Sequence, residues 1–322
     1  MNINDFKKLA PYFKNVEVII LEGWGESLLH KNLIEAIKLI KTEGSQAGFV
    51  TSGKGLTKKY ISEIIDGGVD FVGFSFAGSS ATTHESVRVN SNFGVLFDNI
   101  KTFNEIKADK KLNKPKLHIV YLMLKENIFE VPSLINFAKD MGIDEIILTN
   151  PIHITNEWQE RQRVFRCGEK LHDDFQEILN EAEIKAKELK INLRRPSLSS
   201  VKVAVCEENP LKNLYISVDG EVSPCVYLYP PVSSPFKRIF CGNEHQIEKV
   251  SFGNIFREPF YEIWNKKEYI DFRKSFILRK KGLDVLTFSN LFLNIERLKR
   301  LETVPLSDPP EQCRTCHKML GV

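Results

Sequence analysis

The chain reads as an α/β protein: a barrel-like parallel sheet followed by a small second domain built from a β-hairpin and helices. Three observations predict this. Short β-rich apolar runs alternate with helical patterns through the first half of the 322 residues, and strand–helix–strand alternation implies parallel strands joined by crossover helices. Those runs are almost continuously apolar, as strands buried on both faces are. Past "RRPSLSS" (194–200) the pattern changes to a hairpin, Pro-rich loops and aromatic-rich helices.

Taken in order, a helix is expected over 4–14, then strands over 16–21, 47–51, 71–76, 117–123 and 145–149. Helical periodicity fills the gaps at 33–42, 56–66, 93–108 and 129–141. A long helix over 168–189 and a short strand over 191–194 follow, and Pro196 with its serines reads as a linker. The expected domains are therefore 1–195 and 196–322. "NLYISVDGEVSPC" (213–225) is a hairpin, with Asp219-Gly220 at its turn. "PPVSSP" is a loop, "FGNIFREPFYEIWNKKEYIDFR" (252–273) gives a turn and helices, and a further helix is expected over 286–301. Arg279-Lys280-Lys281 reads as a solvated helix face.

Composition narrows the function. Charged residues make up 27% and the net charge is +3, too mild to indicate a nucleic-acid partner. No apolar run approaches the roughly 18 residues of a membrane span, and the first residues lack a signal-peptide core. A cytoplasmic protein with reduced cysteines is expected, so clustered cysteines point to metal. Of the six, Cys206 and Cys225 flank the hairpin as C-x13-G-x4-C, and Cys313 and Cys316 form a late C-x-x-C. Four thiolates suit an iron–sulfur cluster or a structural zinc. Cys167 and Cys241 have no partner at ligand spacing and are expected to be free.

The hairpin pattern, the phrase at 252–273 and the late C-x-x-C, in that order, resemble the C-terminal auxiliary-cluster domain, of SPASM/twitch type, of radical S-adenosylmethionine (radical SAM) enzymes. With the chain ending six residues after Cys316, the shorter, single-cluster twitch form is expected. The first 150 residues resemble the radical SAM core, a partial (β/α)6 barrel of TIM-like kind, and the five strands correspond to its second through sixth. In that family a Gly-Gly-Glu-Pro loop after the second strand holds the cofactor's amino group. Trp24-Gly25-Glu26-Ser27 stands there, so the resemblance assigns the role to Gly25 and Glu26, while Trp24 and Ser27 depart from the pattern. A carboxylate suits an ammonium, and glycine admits close backbone approach. Glu22 reads as structural. "FVTSGKGL" (49–56) resembles the family's Thr-Asn-Gly with Ser52 in place of Asn. "VGFSFAGSSATTHESVR" (72–88) resembles its SLDG…HDxxR segment, which assigns the carboxylate of the cofactor to Ser75 and Arg88. Ala77 and Glu85 stand where Asp is usual. Arg is apt because its planar fork grips a carboxylate.

The resemblance implies an auxiliary 4Fe–4S cluster on Cys206, Cys225, Cys313 and Cys316, and S-adenosylmethionine as cofactor. It implies an oxidoreductase or maturase acting on a peptide or protein, with ferredoxin or flavodoxin as electron donor. The parent reaction is reductive cleavage of S-adenosylmethionine to methionine and a 5′-deoxyadenosyl radical. The Gly-Trp-Gly-Glu phrase (23–26) resembles maturases associated with tungsten-dependent oxidoreductases. The family's C-x3-C-x2-C loop is absent, since no cysteine precedes Cys167, and catalytic residues are not assigned. A truncated form of an enzyme is expected over a protein that has lost the cluster. The rival from another class is a non-catalytic binding protein with zinc at the same four thiolates.

Overall fold

The computed structural model describes residues 1–167, 173–201, 203–292 and 306–322. They fall into two compact units. One comprises 1–151, 162–164 and 170–196, and the other 152–161, 165–169 and 197–322.

The first unit is a parallel sheet of six strands in sequential order: β1 (Val18–Ile20), β2 (Gln46–Thr51), β3 (Phe71–Phe76), β4 (Lys116–Leu122), β5 (Glu145–Thr149) and β6 (Asn192–Arg194). Register runs through Val18↔Gln46, Gly48↔Phe71, Phe71↔Lys116, His118↔Glu145 and Glu145↔Asn192. The apolar runs form strands because both of their faces find cover. Phe49, Val72, Phe74, Phe76, Ile119, Tyr121 and Ile146 are fully buried. The sheet is open, and the short strand expected over 191–194 is its sixth member. At the other edge β1 exposes Val18 and Ile20.

Helices alternate with the strands as the periodicity predicts. Helix α3 (Leu33–Thr42) buries Leu33, Ala36, Ile37 and Ile40, and α4 (Lys58–Asp66) buries Ile61, Ile64 and Ile65. The Thr57 side chain accepts a hydrogen bond from Tyr60 N and so caps α4. Helix α5 (Ala81–Val87) follows β3, and α6 (Phe93–Asp109) is capped by Asn92. Helix α7 (Val131–Asp140) carries its proline in the first turn, where no amide hydrogen is needed. The single helix expected over 4–14 is instead two, α1 (Ile3–Lys7) and α2 (Ala10–Phe13), with Pro11 opening the second. Proline ends a helix that approaches it and can start the next. The helix expected over 168–189 is described as α9 (Asp173–Leu189), and 168–172 lie outside the described residues. Between α7 and α9 lies a short helix, α8 (Glu157–Gln162).

The second unit contains two hairpins. The expected one pairs β7 (Tyr215–Ile216) with β8 (Val222–Ser223). The second, not foreseen, pairs β9 (Phe236–Phe240) with β10 (Asn243–Ile247). Its two-residue turn, Cys241-Gly242, has φ of 50° and 81°. That is the left-handed geometry of tight hairpins, disguised in the sequence by a cysteine where Asn or Asp is usual. Helices α10 (Phe260–Asn265) and α11 (Lys267–Phe292) follow. The pattern at 286–301 is described only up to Phe292, and 293–305 lie outside the described residues.

Candidate functional site

In the first unit, the loop after β1, the end of β2, β3 and the end of α5 enclose a pocket of about 210 Å3. It is lined by Glu22, Gly23, Gly25, Glu26, Val50, Thr51, Ser52, Ser75 and Arg88. It lies where parallel α/β sheets bind ligands, beyond the carboxyl ends of their strands. Gly25, Glu26, Ser75 and Arg88, expected to act together, share this lining although 63 positions separate the first from the last.

Local chemistry explains the shape. Glu26 Oε1 accepts from Thr51 Oγ1 at 2.6 Å and Leu28 N at 3.2 Å, and its Oε2 accepts from Ser52 N at 2.8 Å and Ser52 Oγ at 2.7 Å. Burial pushes its pKa up, but these donors outweigh burial and hold the carboxyl below its ordinary range, so it stays ionised. Glu26 therefore staples the loop to β2 as well as placing charge at the pocket. Ser27, where the family has proline, donates from Oγ to Leu21 O at 2.6 Å and closes the loop from the other side. A Cβ added at Gly25 would meet nothing within 4 Å, so the wall is open there. Glu22, expected to be structural, is on the pocket lining.

Arg88 follows α5 directly. Its Nε is buried and has no hydrogen-bond partner, and the residue lines the pocket shared with Glu26. Burial lowers the guanidinium and the Glu26 charge raises it again. Arginine remains cationic under such shifts. The opposite end of α5 is anchored by Glu130, which the sequence did not flag. Its carboxylate accepts from Ser79 N, Ser80 N and the Ser79, Ser80 and Thr83 hydroxyls. Fifty positions separate these partners, so no local signal marks them. His84 is held neutral, lowered to about 4 by burial and then by Arg88. Its Nδ1 accepts from Ala77 N at 3.3 Å and fixes the turn after β3.

The second unit gathers the four cysteines of the expected metal set, all unpaired to one another by disulfide. Cys206 precedes the first hairpin, Cys225 follows β8, and Cys313 and Cys316 lie in the C-terminal turns. Burial first, then the charge of Cys316, raises the Cys206 thiol to about 11 and pushes Cys225 and Cys313 up as well. Each of the three is raised in part by the charge of Cys316, so these thiols lie within electrostatic reach of it, and a bound metal would reverse the shift by its own charge. Three cations tie the segments. Arg238, 1% exposed, donates to Gln312 O at 3.1 Å and Tyr227 O at 3.2 Å, joining the approaches to Cys313 and Cys225. Lys318 pairs with Glu207 and Glu208 at 3.1 Å, joining Cys316 to Cys206. Arg279 donates to Ala204 O at 3.1 Å, Val203 O at 2.7 Å and Ser307 O. Arg279 was expected on a solvated face and is 7% exposed. Its three carbonyl partners lie 28 to 76 positions away, beyond the reach of a helical-face pattern.

The hairpin turn has its own support. Gly220 has φ of 86°, and a Cβ there would meet Phe256 at 2.4 Å. Asn254 donates to Asp219 O and Glu221 Oε1, both at 2.8 Å, which explains why the Gly253-Asn254 phrase accompanies the C-x13-G-x4-C pattern. Cys167 and Cys241, expected to be free, are instead joined by a disulfide. They are 74 positions apart, and the turn that presents Cys241 was the element the sequence concealed. Among the described residues, no helix is long and apolar enough to cross a membrane.

Comparison with known proteins matches residues 206–285 to the family model of SPASM, an iron–sulfur cluster-binding domain. The chain is 26% identical over 269 residues to the tungsten-containing aldehyde ferredoxin oxidoreductase cofactor-modifying protein of Pyrococcus furiosus, covering 82% of this chain and 71% of that one. It is 23% identical over 228 residues to the PqqA peptide cyclase of Bradyrhizobium diazoefficiens, covering 70% and 58%. Its fold is similar to SuiB of Streptococcus suis, solved with S-adenosylmethionine (TM-score 0.59, 12% identity, 84% of this chain and 60% of that one). SuiB solved with its precursor peptide SuiA matches at TM-score 0.55 and 11% identity, over 98% and 63%. The chain thus spans about three fifths of the length of SuiB and of the peptide cyclase.

Proposed function

We infer that this chain, which carries a SPASM-type iron–sulfur domain beside a sheet of the radical SAM fold, serves radical modification of a peptide or protein. Its own contribution is a pocket for S-adenosylmethionine and an auxiliary 4Fe–4S cluster. The observation that carries the reading is Arg88, a half-buried cation whose Nε is buried without a hydrogen-bond partner, in a pocket also lined by two carboxylates. A zwitterionic amino-acid group satisfies both signs at once. Arg88 and Ser75 take its carboxylate. Gly25, Glu26 and Glu22 face its ammonium, with Glu26 held in place by Thr51 and Ser52. Partial burial strengthens such pairing because the lower local dielectric screens the two charges less.

The thiols of Cys206, Cys225, Cys313 and Cys316 fit a four-sulfur cluster, since they stand on three segments that Arg238, Arg279 and Lys318 brace together. Such a cluster supplies electron transfer when bound. The chain's residues hold it, screen it from water and set its charge surroundings. Electrons come from outside, from a carrier such as ferredoxin or flavodoxin. The peptide cyclase relative and the peptide-bound SuiB support a peptide or protein substrate. The cofactor-modifying relative supports a maturase role, in line with the Gly-Trp-Gly-Glu loop.

Equilibrium dialysis of the full chain against S-adenosylmethionine tests the pocket. Losing a charged hydrogen-bonding partner costs about 1.5–3 kcal/mol, so Arg88→Ala should bind roughly 10- to 100-fold more weakly. Unaltered affinity in a folded Arg88→Ala protein would remove Arg88, and with it this account of the pocket.

A further inference from the structure

The disulfide pair has a third companion. The donor atoms of Cys167, Cys241 and His317 all lie within 4.8 Å of one another. His317 is fully buried, with its ring against Phe165 at 4.9 Å and Phe240 at 5.0 Å. Cys167 packs against an apolar cluster of Ile154, Phe165, Ile239 and Val322, as does Leu320. Cys241 occupies the left-handed region at a hairpin tip, where a residue with a Cβ is disfavoured relative to glycine. Strained backbone of this kind collects at sites where a particular side chain must be aimed.

We propose that Cys167, Cys241 and His317 form a second metal site, separate from the four auxiliary thiols, and that the disulfide is its oxidised, metal-free form. The ligand is a single borderline-soft divalent cation, zinc above all. Two thiolates and an imidazole suit zinc, whose bonds of about 2.3 Å to sulfur and 2.0–2.1 Å to nitrogen need donors a few ångströms apart. Charge also favours it: a dication with two thiolates and a neutral imidazole sums to zero, which an apolar shell tolerates far better than a net charge. Three protein ligands leave a fourth position for water or an incoming donor, the arrangement of reactive rather than purely structural zinc.

The chemistry balances with a dithiol as reductant. It gives two electrons and two protons to the Cys167–Cys241 bond, yielding two thiols, and closes to its own cyclic disulfide. Zinc then displaces the two thiol protons. Cys167 and Cys241 are each partly exposed, so the reductant and the ion have access. His317 follows Cys316 directly in the chain, so occupancy of this site bears on the segment that presents an auxiliary ligand.

The test uses the full chain with its iron–sulfur cluster reconstituted, so that the auxiliary thiols are taken. After treatment with dithiothreitol and removal of excess reagent, zinc is added and the zinc X-ray absorption edge is measured. The expected result is about one zinc per chain with two sulfur neighbours near 2.3 Å and nitrogen or oxygen completing the shell. Uptake should be absent without the reductant and lost in Cys241→Ser, with the cluster absorbance intact. No uptake after reduction, a shell of four sulfurs, or equal uptake in folded Cys241→Ser would each overturn the proposal. Should that variant fail to fold, the wild-type chain decides: zinc must protect reduced Cys167 and Cys241 from alkylation, and a chelator must restore it. Equal labelling with and without zinc also sinks the site.

Discussion

Asp70, 4% exposed, is held by three donors: Lys41 at 2.6 Å, Lys114 at 2.6 Å and Ala47 N at 2.8 Å. Burial raises its pKa, but the two lysines and the amide bring it below the ordinary 3.8. A depressed folded value means that the stabilisation is complete above the unfolded value and disappears as pH falls through the folded one. The wild-type melting temperature should therefore fall steeply below about pH 4, and Asp70→Asn should flatten that limb. At neutral pH the variant should lose about 1–3 kcal/mol, discounted because both lysines are partly solvated. Parallel acid limbs in the two melting profiles would show that Asp70 carries no such linkage. The same logic distinguishes Glu26 from Arg88. Glu26 already has its donors and acts by position and charge, whereas Arg88 has a buried donor still to be satisfied.

At the scale of elements, α11 shows how one helix face can be misread. Arg279 and Lys280 are neighbours, yet Arg279 is buried against three carbonyls and Lys280 is exposed. Arg279→Met should leave Val203, Ala204 and Ser307 carbonyls without this donor, each buried loss costing about 1–3 kcal/mol and not simply adding. Its melting midpoint and retained iron should both drop. Lys280→Met should stay within about 0.5 kcal/mol of wild type. Equal behaviour of the two variants in a paired thermal melt and iron assay would contradict the bracing role. The β7–β8 hairpin was legible because its turn residues, Asp219 and Gly220, are the types that such turns need. The β9–β10 hairpin was not, because Cys241 takes a conformation its residue type disfavours.

At the scale of the whole molecule, metal binding and folding of the second unit should be one event, because Arg238, Arg279 and Lys318 tie together the segments that carry the four proposed ligand thiols. Cys225→Ala should reduce iron and acid-labile sulfide and lower the calorimetric midpoint of that unit, since a metal-organised domain draws folding energy from its ligands. Full iron content in Cys225→Ala would take Cys225 out of the ligand set. Stoichiometric zinc without iron or sulfide in anaerobically purified chain would replace the cluster with a structural ion.

By itself the sequence determined whatever depends on neighbours in the chain. The rhythm of strands and helices follows from apolar periodicity, the first hairpin from Asp-Gly, and the proposed ligand set from cysteine spacing. Gly25, Glu26, Ser75 and Arg88, which line one pocket, were legible because each stands in a recognisable short phrase. Only the tertiary structure decided what distant segments do to one another. It sent Arg279 inward, engaged Glu26 with Thr51 and Ser52, anchored α5 through Glu130, and brought Cys167 and Cys241 together beside His317. Burial and hydrogen bonding depend on which surfaces meet in space, and spacing along the chain carries no record of partners fifty or more residues away.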